Sequence, residues 1–395
     1  MLMIFVLKIS SNNYSFMKTK ILVVFLFFIL SCVPSKNKLR EIDPLSFQEK
    51  HICLSDIADD ITYIPLDNSY FISSLMEIEL TDSLIYVSSM TKNDGGIYAY
   101  NWQGLLINKI DDIQGNGPGE CTYIIDFTID SSKDRIYIVD GMQKQIEVYS
   151  KKDKYIKTIS LKEKVTGFPS DIAFWNSTLI LGYSGSEEYN WAMMDTLGNL
   201  VSKKKNALYP YNCNVGLLGG FYKYRDKINF WDPFNDTIFT ISHDWEYQAA
   251  YLFKRGEQWA SPMVNDISRF NSLFKIHKVL ETKRYMYILC SYDQKARVGL
   301  YDKKNSEKYM ASGSGISNTI DGGVDFWNCI AYYKKDNTEY LVMSVYPYEL
   351  KTHVASDEFK NSTPKFPEKK KELEQLANRL NENDNLVLML VKLKE

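Results

Sequence analysis

"RIYIVDGMQKQIEVYSKKDKYIKTI", Arg135 to Ile159, decides the fold. Its apolar residues alternate with polar ones in three short runs, and the runs are broken at Asp140–Lys144 and Lys151–Lys154. Period-two alternation between turn-forming breaks is the signature of antiparallel strands. The same phrase recurs at Ser83–Ile110, Thr178–Lys204, Lys227–Phe253 and Tyr285–Met310, and a sixth copy opens at Glu339–Leu350. Comparable starts at Leu84, Ile136, Leu179, Ile228, Met286 and Tyr340 are spaced by 43 to 58 residues, the range of propeller blades. Ahead of each phrase lies one more short strand: "MEIEL", "DFTID", "DIAFW", "FYKYR", "IHKVL" and "NCIAYY". The reading is therefore an all-β chain, a six-bladed β-propeller of four-stranded antiparallel blades.

Both ends fit ring closure. The sixth unit lacks its third strand until "NLVLMLVKLK", Asn385–Lys394, and "ITYIPLD", Ile61–Asp67, is a strand without a unit of its own. Pairing the two completes the last blade. Within that blade "TPKFPEKKKELEQLANRLNEN" predicts one short C-terminal helix over about 367–382, opened by Pro367, with Leu373, Leu376, Ala377 and Leu380 on one face.

The N-terminus predicts export. From Met17, which is the expected true start, Lys18 and Lys20 precede an apolar run from Ile21 to Leu30, too short to span a bilayer. The domain reading is a signal peptide at 1–31, a lipidated polar tether at 32–58 and the propeller at 59–395. Of the six cysteines, Cys53, Cys121, Cys213, Cys290 and Cys329 are far apart without a CxxC pair, which indicates neither zinc nor a disulfide framework. Buried apolar thiols are expected at Cys290 and Cys329. A net charge of -2 gives no attraction to nucleic acid, and the lysine triplets 203–205 and 369–371 read as solvated faces.

Ile29-Leu30-Ser31-Cys32 resembles the lipobox of bacterial lipoproteins, which implies lipidation of Cys32. With "ITYIPLD", "GNGPGE" after the first blade and the ending "NDNLVLMLVKLK", the chain resembles the six-bladed β-propeller lipoproteins of Bacteroidetes-type bacteria, relatives of the NHL-repeat propellers. The resemblance implies a lipid-anchored envelope protein of the outer membrane. The absence of acidic residues in Val33–Lys38 favours its periplasmic side. "QGNGPGE", Gln114–Glu120, lacks the Lys-Ser/Thr pair and following helix of a phosphate loop, so it reads as an inter-blade turn with Gly115, Gly117 and Gly119 at positive-φ positions.

Aligned inner-strand starts place Glu77, Asp126, Asp171 and Asn328 at comparable points of a central channel, with Gly220 or Phe221 and Lys275 the nearest fits in blades four and five. Such oxygen ligands suit Ca²⁺, with Glu77, Asp126 and Asp171 the candidate set, or a sugar hydroxyl; a solvated channel mouth is the plainer reading. His277 is the one histidine expected to face the channel. Rings of the pairs Phe174-Trp175, Phe230-Trp231 and Phe326-Trp327 are expected to pack between blades or stack on a sugar. The expected function is a non-catalytic module, monomeric, binding a glycan or an envelope protein. The competing reading, by analogy with NHL-type relatives, is a metal-assisted hydrolase, lactonase or lyase at the channel.

Overall fold

Six four-stranded sheets surround one axis in the computed structural model, which describes residues 39–395 except 73, 91–94, 111–112, 184–186, 210–216, 218, 265 and 314. From inside out, blade one comprises Leu75–Leu80, Ile85–Met90, Gly95–Tyr100 and Leu106–Ile110; blade two comprises Ile124–Asp130, Arg135–Asp140, Gln145–Ser150 and Tyr155–Ser160. Blade three is Asp171–Trp175, Thr178–Gly182, Tyr189–Asp195 and Leu200–Lys205, and blade four is Gly220–Tyr224, Lys227–Trp231, Thr237–Ile241 and Tyr247–Phe253. Blade five runs Lys275–Glu281, Tyr285–Tyr292, Lys295–Asp302 and Lys308–Ala311. Blade six is Ala331–Lys335, Thr338–Val345, Val387–Leu393 and Ala58–Pro65.

The stretch that opened the sequence reading shows why the ring forms. The hairpin turns of its blade are made by left-handed residues, Asp134 just before the stretch at φ 57°, and Lys144 at 54° and Asp153 at 57° within it. Along Arg135–Asp140, Ile136 and Ile138 enter the core shared with blade one, while Tyr137 and Val139 enter the core shared with blade three. Alternation here separates two neighbours rather than core from solvent, because each blade is covered on both faces. Each fully buried aliphatic side chain contributes ~2–3 kcal/mol to that contact.

Ring closure follows the expected pairing: Leu390 lies opposite Thr62, Val391 opposite Ile61 and Leu388 opposite Ile64. Ile61 and Ile64 are buried, so the closing strand carries apolar contacts as well as ladder hydrogen bonds. The expected helix is present at Pro367–Arg379 and buries Leu373 and Ala377. Two further helices, Pro347–Ala355 and Asp357–Asn361, precede it.

Three expectations are corrected. The stretch 32–58, read as a tether, is not one from Glu41 onward. Ile42, Phe47, Ile52, Leu54 and Ile57 are buried, Arg40–Ile42 adds a fifth strand to blade four, and Gln48–Lys50 adds a parallel fifth strand to blade five. Polar composition hid this because the two added strands are almost wholly exposed, with Ile42 their one buried side chain. Lys204, read as solvated, is buried between blades, with its ammonium 4.2 Å from the Phe239 ring and 3.0 Å from Asn190 Oδ1. In the inter-blade turn only Gly119 has positive φ, 83°. Gly115 and Gly117 serve instead to admit the Glu120 carboxylate, which folds back to accept the Gly117 N–H at 2.7 Å.

Cys121, Cys290 and Cys329 are buried thiols, and burial pushes Cys290 and Cys329 up to about 12. The signal peptide, Cys32, Cys213 and all of 1–38 lie outside the described residues. Among the described residues no helix is long and apolar enough to cross a membrane.

Candidate functional site: the central channel

The inner strands of all six blades line one cavity of about 360 Å³ on the axis. Each inner strand pairs on one side only, so alternate N–H groups of its other edge point at the channel and need acceptors. Carboxylates from the preceding blade supply them. Asp126 Oδ2 accepts the Ile172 N–H at 2.8 Å, Asp171 Oδ2 accepts the Phe221 N–H at 2.7 Å, and Glu79 Oε2 accepts the Ile129 N–H at 3.0 Å. Thr128 Oγ1 does the same for Phe174 at 3.0 Å. On the other side of the ring Lys278 Nζ donates to the Ile330 carbonyl at 2.6 Å, joining blades five and six. The channel residues are therefore stitches between blades.

Three inner strands carry a one-residue bulge, across Leu75–Ile78, Ile124–Asp126 and Ile276–Lys278. A bulge re-aims the side chain beside it, and these bulges stand next to Glu77, Asp126, His277 and Lys278. Glu77, Asp126, Asp171 and His277 all line the cavity, together with Gly220 and Phe221. Asn328 does not: the sixth inner strand begins at Ala331, and Asn328 sits in the loop before it. Lys275 is also displaced. Its buried ammonium donates to the carbonyls of Phe270, Asn271 and Leu273 at the end of the helix Ile267–Ser272. The bulge at His277 brings Lys278 to the channel in its place, a shift that sequence alignment of strand starts does not reveal.

Electrostatics follow from crowding. Burial holds the Asp126 carboxyl well above the usual range, and the charges of Asp171 and Glu77 add to the effect. A side-chain hydrogen bond between the two carboxyls raises Asp126 and lowers Asp171. Burial raises Asp171 to about 6, against the opposing effects of that hydrogen bond, the Phe221 N–H, Lys278 and Lys223. Glu77 is exposed in the channel, yet burial of its carboxyl by the surrounding wall raises it to about 7; Lys278 opposes this and Asp171 adds to it. His277 is lowered by burial and by Lys275, and its Nε2 lies 2.7 Å from Ser291 Oγ. An ion pair, Lys223–Glu79 at 3.3 Å, links blade four to blade one across the axis.

Among the described residues, no group of three or more His, Cys, Asp or Glu side chains is disposed to hold a metal ion. The expected aromatic pairs mostly pack: Phe230, Phe326 and Trp231 are buried, Phe174 stacks on Tyr137, and Trp175 meets Trp245 edge-on. Trp327 is the exception, 44% exposed.

Comparison with known proteins places the fold. A Bacteroides fragilis protein inferred to be exported is similar at 17% identity and a TM-score of 0.66, over 88% of this chain and 99% of that one. A member of the DUF4221 family from Bacteroides vulgatus is similar at 10% identity and a TM-score of 0.52, over 85% and 97%. Virginiamycin B lyase from Staphylococcus aureus follows at 11% identity and a TM-score of 0.40, over 71% and 81%, a distance that speaks to no shared activity. No curated protein matches. A family model described as "Domain of unknown function (DUF4934)" matches residues 40–392, and the chain belongs to that family.

Proposed function

We propose that the chain is an exported, lipid-anchored propeller that binds a small hydroxyl-rich ligand, of the glycan class, in its central channel. The observation that carries this reading is the coincidence of three β-bulges around one cavity, beside Glu77, Asp126 and Lys278. No hydrogen bond to the Glu77 carboxylate is found among the described residues. Lys278 spends one of its three donors on Ile330, and Phe221 and Tyr332 also line the cavity. Carboxylate, ammonium and aromatic groups converging on a concave site suit hydroxyls and a sugar face.

The non-catalytic part of the reading rests on Asp126 and Asp171. Each already holds the backbone of the next blade, so moving either to serve a substrate would break an inter-blade hydrogen bond. A second, catalytic reading has one observation in its favour: Glu77 reaches the channel with its carboxyl near 7, suited to proton transfer at neutral pH.

Calorimetric titration with a panel of neutral oligosaccharides tests both. The binding reading expects saturable binding that Glu77→Gln and Lys278→Met each weaken by about tenfold or more, the effect of one or two hydrogen bonds to charged groups. Absence of binding across the panel, or binding indifferent to both substitutions, overturns it; turnover abolished by Glu77→Gln establishes the catalytic reading instead. Export and anchoring are tested separately by palmitate labelling, which Cys32→Ala should abolish.

A further inference from the structure

Antiparallel blades send their connections alternately to two faces. The six crossings that lead into an inner strand, and the loops from second to third strand, share the face where the inner strands begin. Glu77 and His277 stand toward that end of their strands. Each crossing there holds out a large apolar side chain: Phe71 before blade one, Tyr123 before blade two, Phe168 before blade three, Tyr209 before blade four, Met263 before blade five and Trp327 before blade six. All six are between 44% and 74% exposed. Met142 and Tyr348, in the second-to-third-strand connections of blades two and six, add to them. Among the described residues the loops of the opposite face hold out two, Leu105 and Leu197, and the others off the first face lie on outer strands.

Exposed apolar groups collected on one surface mark a contact with protein or with membrane. Here they are not gathered in one patch. They go round all six crossings, as contact with a plane requires, whereas a protein partner of ordinary footprint covers ~800 Å² in one place. The residue types agree, since Tyr and Trp join an apolar body to a polar tip and favour the membrane–water boundary.

The start of the fold points the same way. Ile42 is buried, and its carbonyl accepts the Lys254 N–H at 2.8 Å. Lys254 follows the outer strand of blade four and opens the crossing that bears Met263, so the chain enters the propeller at the rim of this face. Ten residues lead from Cys32 to Ile42, a reach of at most ~35 Å when fully extended. A lipid on Cys32 therefore keeps this rim close to the bilayer.

We propose that the face where the inner strands begin rests on the membrane surface, with the six crossing side chains seated in its headgroup layer. This rests on the anchoring at Cys32 proposed above.

The test is photolabelling of the full-length lipidated chain in phosphatidylethanolamine–phosphatidylglycerol vesicles. The label is a bilayer-partitioned aryl diazirine, mapped by peptide mass spectrometry. The expected result is label on the six crossings and about tenfold less on the loops of Leu105 and Leu197, which are equally open to water. Phe71→Ser, Phe168→Ser and Met263→Ser together should cut the label at Tyr209 and Trp327 about tenfold, the effect of withdrawing three apolar side chains from lipid. All three are exposed, and an unchanged melting temperature will verify that the variant folds. Equal label on both faces, or a triple variant labelled like the native chain, overturns the proposal. Protection of this face from amide exchange in whole envelopes but not in the vesicles assigns it to a protein partner and overturns it too. Flotation separates the two readings. A chain that floats with the vesicles yet stays unlabelled refutes the face alone, whereas one that does not float refutes the anchor and the face with it.

Discussion

Asp171→Asn should make the protein more stable above neutral pH. In the native chain Asp171 Oδ2 accepts the Phe221 N–H, and the other half of the carboxyl meets Asp126. Its folded value, about 6, stands above the ordinary 3.8. A carboxyl raised on folding favours the folded state while protonated; that contribution is complete below about pH 4 and is lost as pH rises through about 6. At ~1.4 kcal/mol per pH unit the gap corresponds to at most ~3 kcal/mol, and access of channel water reduces the expectation to ~1–2 kcal/mol. Asparagine keeps an acceptor for Phe221, turns an N–H toward Asp126 and removes the cost of burying the Asp171 charge. At about 1–2 °C per kcal/mol for a domain of this size, the variant should melt ~1–4 °C above the native chain at pH 8, with the gap narrowing to about a third of that at pH 4.5. Differential scanning calorimetry from pH 4.5 to 8.5 measures this. Parallel pH profiles for the two proteins, or a loss of stability at pH 8, refute the reasoning. Asp171→Ala is the control: it strands the Phe221 N–H and should cost ~1–3 kcal/mol at either pH.

Other substitutions probe neighbouring parts of the ring. Gly220→Ala places a Cβ against Asp171 Oδ2 and should cost ~2 kcal/mol or more in urea unfolding, since the obstacle is a carboxylate already tied to backbone. Lys303 pairs with Glu281 at 2.6 Å with both side chains buried, and Glu281 also accepts from Tyr251 at 2.8 Å. Lys303→Met leaves that carboxylate without its cation and should lower stability by ~3–5 kcal/mol in denaturant titration. Ile64→Ala, on the buried face of the closing strand, should cost ~2–4 kcal/mol and promote proteolysis within Ala58–Pro65 before the rest of the ring.

The ring itself was legible because its repeat is written in two independent signals, period-two apolarity and spacing. Closure could be read because Ile61–Asp67 and Asn385–Lys394 each lacked a partner, and Val387–Leu393 pairs with Ala58–Pro65 accordingly. The fifth strands on blades four and five were not legible: "REI" and "QEK" have almost no apolar content, and only the isolated Ile42 and Phe47 betray that the segment is pinned down. The channel was legible to the level of a residue in blades one to three, where the inner strands hold Glu77, Asp126 and Asp171. It failed in blade five, where the bulge at His277 exchanges Lys275 for Lys278, and in blade six, where the strand begins three residues after Asn328. A bulge leaves no composition signal. Nor did sequence show that the acids bond to backbone of the next blade, since that depends on how two sheets are juxtaposed.

Amide hydrogen exchange at Ile172 and Phe221 tests the central claim most directly. Both N–H groups lie on open inner edges facing the channel and have no sheet partner there, so only Asp126 and Asp171 can protect them. Slow exchange at both, kept at Phe221 in Asp171→Asn and lost there in Asp171→Ala, is the predicted result. Rapid exchange in the native chain would contradict the account, since the channel carboxylates would then not be holding the blades together.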